Sequence, residues 1–466
     1  MSDPLRATAT DLVRRLQGAG FEAFWVGGCV RDSLLGREPG DYDIATNARP
    51  EAIEKLFPHT IAVGRKFGVM VVVEGGQQFQ VAMFRAESDY LDGRRPERVT
   101  FGDARADAQR RDFTVNGLFF DPLLERLHDW VNGEADLGAK IIRTIGAPDE
   151  RFAEDHLRML RAVRFAARLG FEIEPQTFAA VKTHAAKIKL ISAERIRDEL
   201  IKLFAPPFGV PPSGGSGGGG RKPPEGGTPN APAARGLELL RGSGLLEHVF
   251  PELAATVTCE QSADYHPEGT VFTHLRLMLE KMPADADPLL PWAVLMHDIA
   301  KPLTASRDPQ TGSIHFYEHE KIGAQMAENI LERLRFPRKL IEEITAVVLH
   351  HMQFKDAPRM RKSTLRRLLL RETFPLELAL HRLDCLGSHG QLDIYDFLVT
   401  QASALAQQPE ILPGLLTGAD LIELGVEPGP AMGALLNEIR EKQLQDELKT
   451  PAAARDWVRT RIENSR

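Results

Sequence analysis

Two aspartates, Asp41 and Asp43, are the residues with the clearest chemical potential in this sequence. They open the segment DYDIAT, whose apolar residues are typical of a buried strand. Residues i and i+2 of a strand point to the same face, so the two carboxylates can share one or two Mg²⁺ ions. Such a site suits nucleotidyl transfer, in which metal ions activate an attacking hydroxyl and stabilise the leaving pyrophosphate.

The elements just before these aspartates favour the same chemistry. Phe21 to Val26 is apolar and bulky, which predicts a buried strand. Gly27 and Gly28 then remove two side chains where the backbone must turn and where a phosphate could approach. Val30 to Leu35 is predicted to be a short helix, with Arg31 near its start. A glycine pair alone usually marks a turn, and a DxD alone usually lies in a solvated loop; together they favour nucleotidyl transfer.

Residues 27–46, GGCVRDSLLGREPGDYDIAT, resemble the signature GGxVRDxLLGRxxxDxDIxT of the class II tRNA nucleotidyltransferases (CCA-adding enzymes) and bacterial poly(A) polymerases. The resemblance implies an α+β fold, with a nucleotidyltransferase head built on a small mixed sheet with helices. A mostly α-helical neck, an HD domain and a helical tail would follow. It also implies that Asp41 and Asp43 are catalytic and hold Mg²⁺, while Gly28 and Arg31 bind the nucleotide.

A second motif, RRDFTVNGLFFD, begins at Arg110. Arginine forks suit phosphate oxygens, but RRD by itself would more often be a surface charge cluster. The motif resembles one that follows a flexible loop in this family, and the resemblance implies that Arg111 contacts the nucleotide. The polar stretch from Phe84 to Arg98 is predicted to be that mobile loop.

Glu154 to Leu169, within the phrase EDHLRMLRAVRFAARL, is predicted to be one helix that ends at Gly170. Asp155 and Arg158 are three residues apart, so they are neighbours on a helix surface, where an ordinary ion pair is the common outcome. The phrase resembles the family motif that reads the incoming ATP or CTP. Asp155 and Arg158 would pair with the base, and Arg161 and Arg164 would take adjoining nucleotide-binding places, so that no nucleic acid template is needed.

A second constellation of histidines and aspartates follows, with the phrase HDIAKP after an apolar helix. Each histidine taken singly is more often a core or surface residue, but imidazoles and carboxylates on neighbouring helices can form a divalent-metal site. The spacing resembles an HD phosphohydrolase domain. The implied ligands of a first metal are His274, His297, Asp298 and Asp384; His319 and one of His350 or His351, with His350 preferred, could hold a second.

Composition predicts several domains, because 466 residues exceed a single ordinary core. A Pro/Gly/Ser-rich segment is predicted to be a disordered insertion, and the basic segment 359–371 is either a solvated helix face or an RNA contact. The predicted parts are a head at 1–145, a helical neck and nucleotide-recognition region at 146–262 with the insertion at 206–234, an HD domain at 263–405 and a tail at 406–466.

The net charge and the cysteine content limit which binding partners and which cellular compartment the sequence predicts. The net charge is −7, so RNA contacts must come from local basic patches. The three cysteines form no CxxC, which favours a reducing cytoplasm and gives no sign of a zinc site or disulfide framework. The first residues lack a signal-peptide core and no run of 18 apolar residues exists, so no membrane partner is expected. The oligomeric state is left open.

The family resemblance implies Mg²⁺-dependent addition of CMP and AMP to the 3′ end of tRNA, with ATP, CTP and tRNA as partners and a possible further divalent metal in the HD domain. Alternatives are a poly(A) polymerase, an enzyme that adds only CC or only A, an HD phosphohydrolase whose first domain binds RNA, and a non-catalytic RNA-binding protein. The paired aspartates argue against the last two. The phrase GRKFGVMVVVEGGQQFQVAMFR looks more like the CCA-adding form.

Overall fold

The computed structural model describes residues 3–86, 101–206, 231–262, 265–407 and 413–463. Most of the predicted mobile loop, Phe84 to Arg98, and most of the predicted insertion, 206–234, lie outside the described residues. The chain divides into two compact units, residues 1–205 with 232–254, and residues 206–231 with 255–466.

The first unit contains a mixed sheet and a set of helices. Its strands are β1 (Ala23–Val26), β2 (Asp43–Thr46), β3 (Thr60–Gly64), β4 (Val69–Glu74), β5 (Gln77–Met83), β6 (Phe119–Asp121), β7 (Arg126–His128), β8 (Ile141–Ile142) and β9 (Glu172–Ile173). Its helices are α1 (Pro4–Gly18), α2 (Gly28–Leu34), α3 (Pro50–Leu56), α4 (Ala104–Gln109), α5 (Gly133–Ala139), α6 (Pro148–Glu154), α7 (Leu157–Leu169), α8 (Pro175–His184), α9 (Ala193–Phe204), α10 (Ala231–Gly242), α11 (Leu246–Val249) and α12 (Pro251–Ala255).

Seven strands form one sheet in the order β3-β4-β5-β2-β1-β6-β7. All neighbours are antiparallel except β2 and β5, which run parallel with Ile44 opposite Val81. Gly75 and Gly76 both have positive φ angles and close the β4–β5 hairpin. The mixed sheet of the predicted α+β head is therefore confirmed.

Alternation along β2 places Ile44 on one face of the sheet, and Asp43 and the buried Ala45 on the other. Ile44 is fully buried, and Tyr42, just before the strand, packs edge-on against Trp25 at a ring-centroid distance of 4.8 Å. Asp41 and Asp43 therefore face the opposite side, as a period of two requires.

The predicted helix from Glu154 to Leu169 is wrong as a single element. The structure has two helices, α6 and α7, separated by Asp155 and His156. Asp155 adopts an extended conformation, with φ −148° and ψ 104°. The predicted end is present: Gly170 has a φ of +74°, a left-handed conformation that suits glycine.

The helix α10 begins at Ala231, which lies inside the predicted disordered insertion. Its residues Ala233 and Ala234 are buried, so this part of the insertion prediction is wrong. The sequence did not predict this part of the helix because its Ala and Pro residues show no apolar periodicity beside the Gly/Pro-rich segment. Pro is nevertheless well tolerated in the first turn of a helix.

The second unit is almost entirely helical. Its elements are α13 (Val271–Glu280), α14 (Leu290–His297), α15 (Lys301–Thr304), β10 (Ala305–Arg307), β11 (Ile314–Phe316), α16 (His319–Arg333), α17 (Arg338–His350), α18 (Lys362–Leu369), α19 (Phe374–Gly387), α20 (Asp393–Ala406), α21 (Gly418–Glu423), α22 (Pro430–Leu444) and α23 (Pro451–Glu463). All eight residues of α14 are buried, so this helix forms the centre against which its neighbours pack.

The basic segment 359–371 has a structural role that its composition did not reveal. Lys362 and Arg366 both pair with Asp446, at the end of α22, and Arg367 lies 2.7 Å from Glu441. Much of its charge is therefore used to hold the tail helix α22, which weakens the expectation of an RNA contact there.

Among the described residues, no helix is both long enough and apolar enough to cross a membrane.

Candidate active site and metal centre

A cavity of about 620 Å³ in the first unit, here called the transfer pocket, brings together side chains from the sheet and from the helices after it. The predicted transferase residues all line it, although they are spread over more than 130 positions of the chain. They are Gly28, Arg31, Asp41, Asp43, Arg111, Asp155, Arg158, Arg161 and Arg164.

The two carboxylates occupy one edge of the transfer pocket. Asp43 is the first residue of β2, whereas Asp41 lies in the loop just before the strand and is exposed. Burial and the neighbouring Asp41 raise the pKa of Asp43 to about 6, and the opposing field of Arg111 only partly offsets this. Two neighbouring carboxylates, one of which has a raised pKa, are suited to binding a divalent cation. Mg²⁺ prefers oxygen ligands, and its charge would stabilise both carboxylates in the ionised form.

This raised pKa predicts a pH dependence for divalent-cation binding without nucleotide. A cation competes with the proton on Asp43, so the apparent affinity for Mn²⁺ should fall about tenfold per pH unit below pH 6 and level off above it. Electron paramagnetic resonance titration of free Mn²⁺ between pH 5 and 8 measures this. An affinity that is constant across that range would contradict the placement of the cation on Asp43.

Gly27 turns the chain between β1 and α2. It has a φ of +73°, and a Cβ at this position would lie 2.8 Å from Nη1 of Arg111. Arg111 is fixed from the other side by Asp107, which accepts from Nη2 at 3.1 Å. The turn glycine therefore leaves room for an arginine that points at the carboxylate edge, where a triphosphate could be held.

Arg31 and Arg161 are joined through two polar side chains. Arg31 Nη1 donates to Asn116 Oδ1 at 2.7 Å, and Asn116 Nδ2 donates to Asp112 Oδ1 at 3.0 Å. Arg161 Nε donates to the other oxygen of Asp112 at 2.8 Å. Despite its burial, Asp112 has a lowered pKa because of Arg161 and Asn116. One anion thus fixes two arginines from different helices in the transfer pocket.

Arg164 is held by Glu199 of α9. Its Nε lies 2.6 Å from Glu199 Oε2, and its guanidinium stacks over Phe165 at 4.1 Å from the ring centroid. Burial lowers the pKa of Arg164 to about 10, although Glu199 counteracts the effect. The side chain remains a cation at neutral pH.

Asp155 and Arg158 both face the transfer pocket but do not pair with each other as neighbours on one helix would. Asp155 Oδ1 accepts from the backbone N–H of Leu157 at 3.1 Å, and Oδ2 accepts from Arg195 Nη2 at 2.7 Å. Arg158 Nη1 donates to Glu154 Oε2 at 2.6 Å. Each is anchored separately, and both line the transfer pocket.

A second cavity of about 670 Å³ in the second unit, here called the metal pocket, collects histidines and aspartates. Three groups of donor atoms in the described residues are each compact enough to hold one ion. One consists of His266, Glu268 and His274, and the other two are here called the triads. The first triad is His274, His297 and Asp384, and the second triad is Asp298, His319 and His351. Asp298 also connects them, because its Oδ2 lies 3.2 Å from His297 Nε2 and its Oδ1 lies 3.4 Å from His319 Nε2.

The preferred prediction of His350 as a ligand is wrong, and the open alternative His351 takes its place. His350 Nδ1 lies 3.4 Å from Glu377, whereas His351 Nε2 lies 3.1 Å from His319 Nε2. His350 is the last residue of α17, and His351 begins the 3₁₀ helix that follows. Adjacent residues at such a junction point in different directions, which the sequence alone does not resolve.

The donor set fits a divalent cation. Nε2 of His274 and Nε2 of His297 are buried and make no hydrogen bond within the described part of the chain. Burial disfavours protonation of His274, yet Asp384 and Glu268 raise its pKa to about 9. A buried imidazole beside carboxylates, with its ring nitrogen unsatisfied, is the environment that a metal ion would occupy.

Two pocket residues, Gln80 and Lys301, were not predicted from the sequence as site residues. Gln80 lines the transfer pocket from β5, where the parallel register places it beside Asp43. Lys301 lies in the phrase HDIAKP and places Nζ 2.8 Å from Asp298 Oδ2. A lysine three residues after the HD pair could have been noticed; Gln80 depends on strand pairing that is not visible in the chain.

Comparison with known families finds three matches along the chain. Residues 23–143 match the poly A polymerase head domain, residues 170–210 match a probable RNA- and SrmB-binding site of polymerase A, and residues 264–386 match the HD domain.

Individual relatives agree with these matches. A CCA-adding enzyme of Staphylococcus aureus (strain MRSA252) is 47% identical over 204 residues, which are 44% of this chain and 51% of the relative. The matched region thus spans about half the length of such curated relatives.

Solved structures extend the likeness over the whole chain. The Bacillus stearothermophilus CCA-adding enzyme in complex with CTP is 28% identical with a TM-score of 0.72, covering 99% of this chain and 100% of that one. The Thermotoga maritima CCA-adding enzyme complexed with tRNA is 20% identical, has a TM-score of 0.54, covers 99% and 96% of the two chains, and is a likeness of fold alone. These matches confirm the resemblance that the motifs predicted, to the class II tRNA nucleotidyltransferase and bacterial poly(A) polymerase family with an HD domain.

Proposed function

We propose that this chain is a template-independent nucleotidyltransferase that adds CMP and AMP units to the 3′ end of tRNA and releases pyrophosphate. The main support for the proposal is the transfer pocket. This one cavity contains the paired carboxylates, arginines that could bind a triphosphate, and a hydrogen-bond donor and acceptor that could contact a base. The relatives named as CCA-adding enzymes, one of them bound to CTP, support the choice of tRNA and of these nucleotides.

The carboxylates and arginines divide the chemistry between them. When bound, Mg²⁺ lowers the pKa of the attacking 3′-hydroxyl and neutralises charge on the transferred phosphate. Asp41 and Asp43, which line the transfer pocket at the start of β2, would hold the cation. Arg31 and Arg111 bind the triphosphate, whose charge is spread over its oxygens during in-line transfer, and Gly28 lets the backbone approach it.

Base choice is assigned to Asp155 and Arg158. A carboxylate accepts from an exocyclic amino group, and a guanidinium donates to ring nitrogens and carbonyl oxygens. Cytosine and adenine both carry an exocyclic amino group beside an acceptor ring nitrogen, which uracil and guanine do not present at the same edge. Their separate anchors, Arg195 and Glu154, keep the two groups in place without nucleic acid.

The experiment that tests the proposal supplies purified protein with tRNA transcripts that end before CCA, before CA and before A. CTP and ATP are offered separately and together. Complete addition predicts CC from CTP alone on the first transcript and a single A from ATP on the last. Long adenosine tails on every transcript would favour the poly(A) polymerase. Addition of C alone, to the first two transcripts, would favour a CC-adding enzyme, and addition of A alone, to the last transcript, would favour an A-adding enzyme.

A second candidate function, metal-dependent phosphohydrolysis in the metal pocket, is favoured by the two triads and the unsatisfied ring nitrogens of His274 and His297. Imidazole ligands favour Mn²⁺, Co²⁺, Ni²⁺ or Zn²⁺ over Mg²⁺. Lys301 adds a cation that could meet a phosphate oxygen.

Substitution of His297 by alanine is expected to remove any such hydrolysis and to leave nucleotide addition within about twofold of wild type, since the two sites lie in different units. Both reactions are measured on one preparation, CCA addition with Mg²⁺ and hydrolysis of 2′,3′-cyclic phosphates with Ni²⁺. His59→Ala, an exposed position in the head, serves as a control. Loss of CCA addition in folded His297→Ala would contradict the separation.

A further inference from the structure

Glu268 lies behind the metal pocket and touches two histidines at once. Its Oε1 is 2.7 Å from Nδ1 of His274 and 2.9 Å from Nδ1 of His266. The carboxylate is 7% exposed, and it is not among the described residues that line the cavity. A buried carboxylate placed against the far side of two imidazoles is suited to orienting them.

The contact between Glu268 and Nδ1 of His274 determines which ring nitrogen faces the first triad. Glu268 lies against the Nδ1 side of the ring, and the Nε2 side faces the first triad, where Nε2 lies 3.1 Å from Asp384 Oδ1. Metal binding at Nε2 requires a neutral imidazole with its proton on Nδ1, where Glu268 can accept it. Without an acceptor behind the ring, His274 could rotate or present its other nitrogen.

The same carboxylate reaches the second triad through a short series of contacts. His266 Nε2 lies 3.5 Å from Lys301 Nζ. Lys301 Nζ in turn lies 2.8 Å from Asp298 Oδ2 and donates to Gln261 Oε1 at 2.6 Å. Glu268 therefore supports a ligand of the first triad directly and a ligand of the second triad indirectly.

We infer that Glu268 is a positioning residue of the metal centre, which sets the tautomer and orientation of His274 so that the first triad can bind a divalent cation. This inference rests on the proposed metal centre in the second unit. It assigns Glu268 no contact with the metal and none with a substrate.

The test measures metal affinity in full-length protein that carries Asp41→Ala and Asp43→Ala, so that the transfer-pocket carboxylates do not contribute. Co²⁺ is titrated by calorimetry and by its visible absorption. Relative to this background, Glu268→Ala is expected to weaken Co²⁺ binding about 10- to 100-fold, as loss of an outer-shell partner typically does. Glu268→Gln should retain part of the affinity, because the amide oxygen still accepts from Nδ1. Glu280→Gln, on the same helix as His274 but exposed, is the matched control and should leave affinity unchanged.

A structural readout separates orientation from general destabilisation. Nitrogen-15 histidine spectra of the Zn²⁺-loaded protein should show His274 with its proton on Nδ1 in the background protein and altered histidine shifts in folded Glu268→Ala. If the background protein binds no Co²⁺, the metal centre itself is wrong. If it binds Co²⁺ and Glu268→Ala binds equally well, the metal centre stands and the role of Glu268 is overturned. If Glu268→Gln bound one Co²⁺ ion fewer than the background protein, with no change in affinity for the rest, Glu268 would be a metal ligand. That result would also overturn its role as a positioning residue.

Discussion

Replacement of Asp43 by asparagine is expected to lower the rate of nucleotide addition by about 10³-fold or more, because a divalent cation supplies several kcal/mol of transition-state stabilisation. Asp41→Asn should act in the same direction. Single-turnover incorporation of radiolabelled CMP into a tRNA transcript measures the loss. Glu51→Gln, an exposed acidic position on α3, is the matched control and should retain full activity.

The same variant carries a stability signature that distinguishes an active-site role from damage. The folded-state pKa of Asp43 is about 6, above the ordinary value of 3.8, so its ionisation opposes folding. The free-energy cost that this ionisation adds to folding grows as pH rises from about 4 to 6 and reaches its full value above pH 6. Without divalent cations, Asp43→Asn should therefore be more stable than wild type at pH 8, on the order of 1–3 kcal/mol, and equal to it near pH 4. An inactive variant that melts earlier at pH 8 would point to misfolding instead.

The second large effect concerns nucleotide choice. Asp155→Ala and Arg158→Ala are expected to reduce discrimination of CTP and ATP against UTP and GTP by roughly 5- to 150-fold each, since one bidentate base contact is worth about 1–3 kcal/mol. The measurement is kcat/KM for each of the four triphosphates. Most of the change should come from slower use of CTP and ATP, because only these bases lose a contact.

Two further variants test whether a change in nucleotide selectivity comes from loss of the contact with the base. Arg158→Lys keeps the positive charge but loses the planar fork, so it should lose discrimination nearly as far as Arg158→Ala. Glu150→Gln, an exposed acidic position on α6, should change neither rate nor selectivity. Selectivity that stays at the wild-type level in Asp155→Ala and Arg158→Ala would remove both residues from base recognition.

The sequence predicted the membership of the transfer pocket because its residues sit in short motifs with fixed spacing. Gly28, Arg31, Asp41 and Asp43 all lie within one strand–turn–helix–strand phrase, and local pattern sets their relative positions. The mixed sheet followed from apolar alternation and from the Gly75-Gly76 turn.

Contacts between distant segments could not be predicted in this way. The break at Asp155 places its carboxylate against Arg195, which is 40 positions away. Glu199 reaches back to Arg164, and Asp446 pairs with Lys362 and Arg366 of a basic helix that was a candidate for RNA binding. The choice between His350 and His351 depended on one change of backbone direction at the end of α17. Each of these depends on tertiary packing, which overrides local propensity.

A crystal structure with CTP and Mg²⁺ tests the central claim most directly, namely that one pocket performs both the chemistry and the choice of base. It should place the triphosphate between Arg111 and the Asp41–Asp43 edge, with the metal ion on those carboxylates. The cytosine amino group should lie within about 3.2 Å of Asp155, and its ring acceptors should face Arg158. A nucleotide bound outside the transfer pocket, or one whose base edge faces neither Asp155 nor Arg158, would contradict the account.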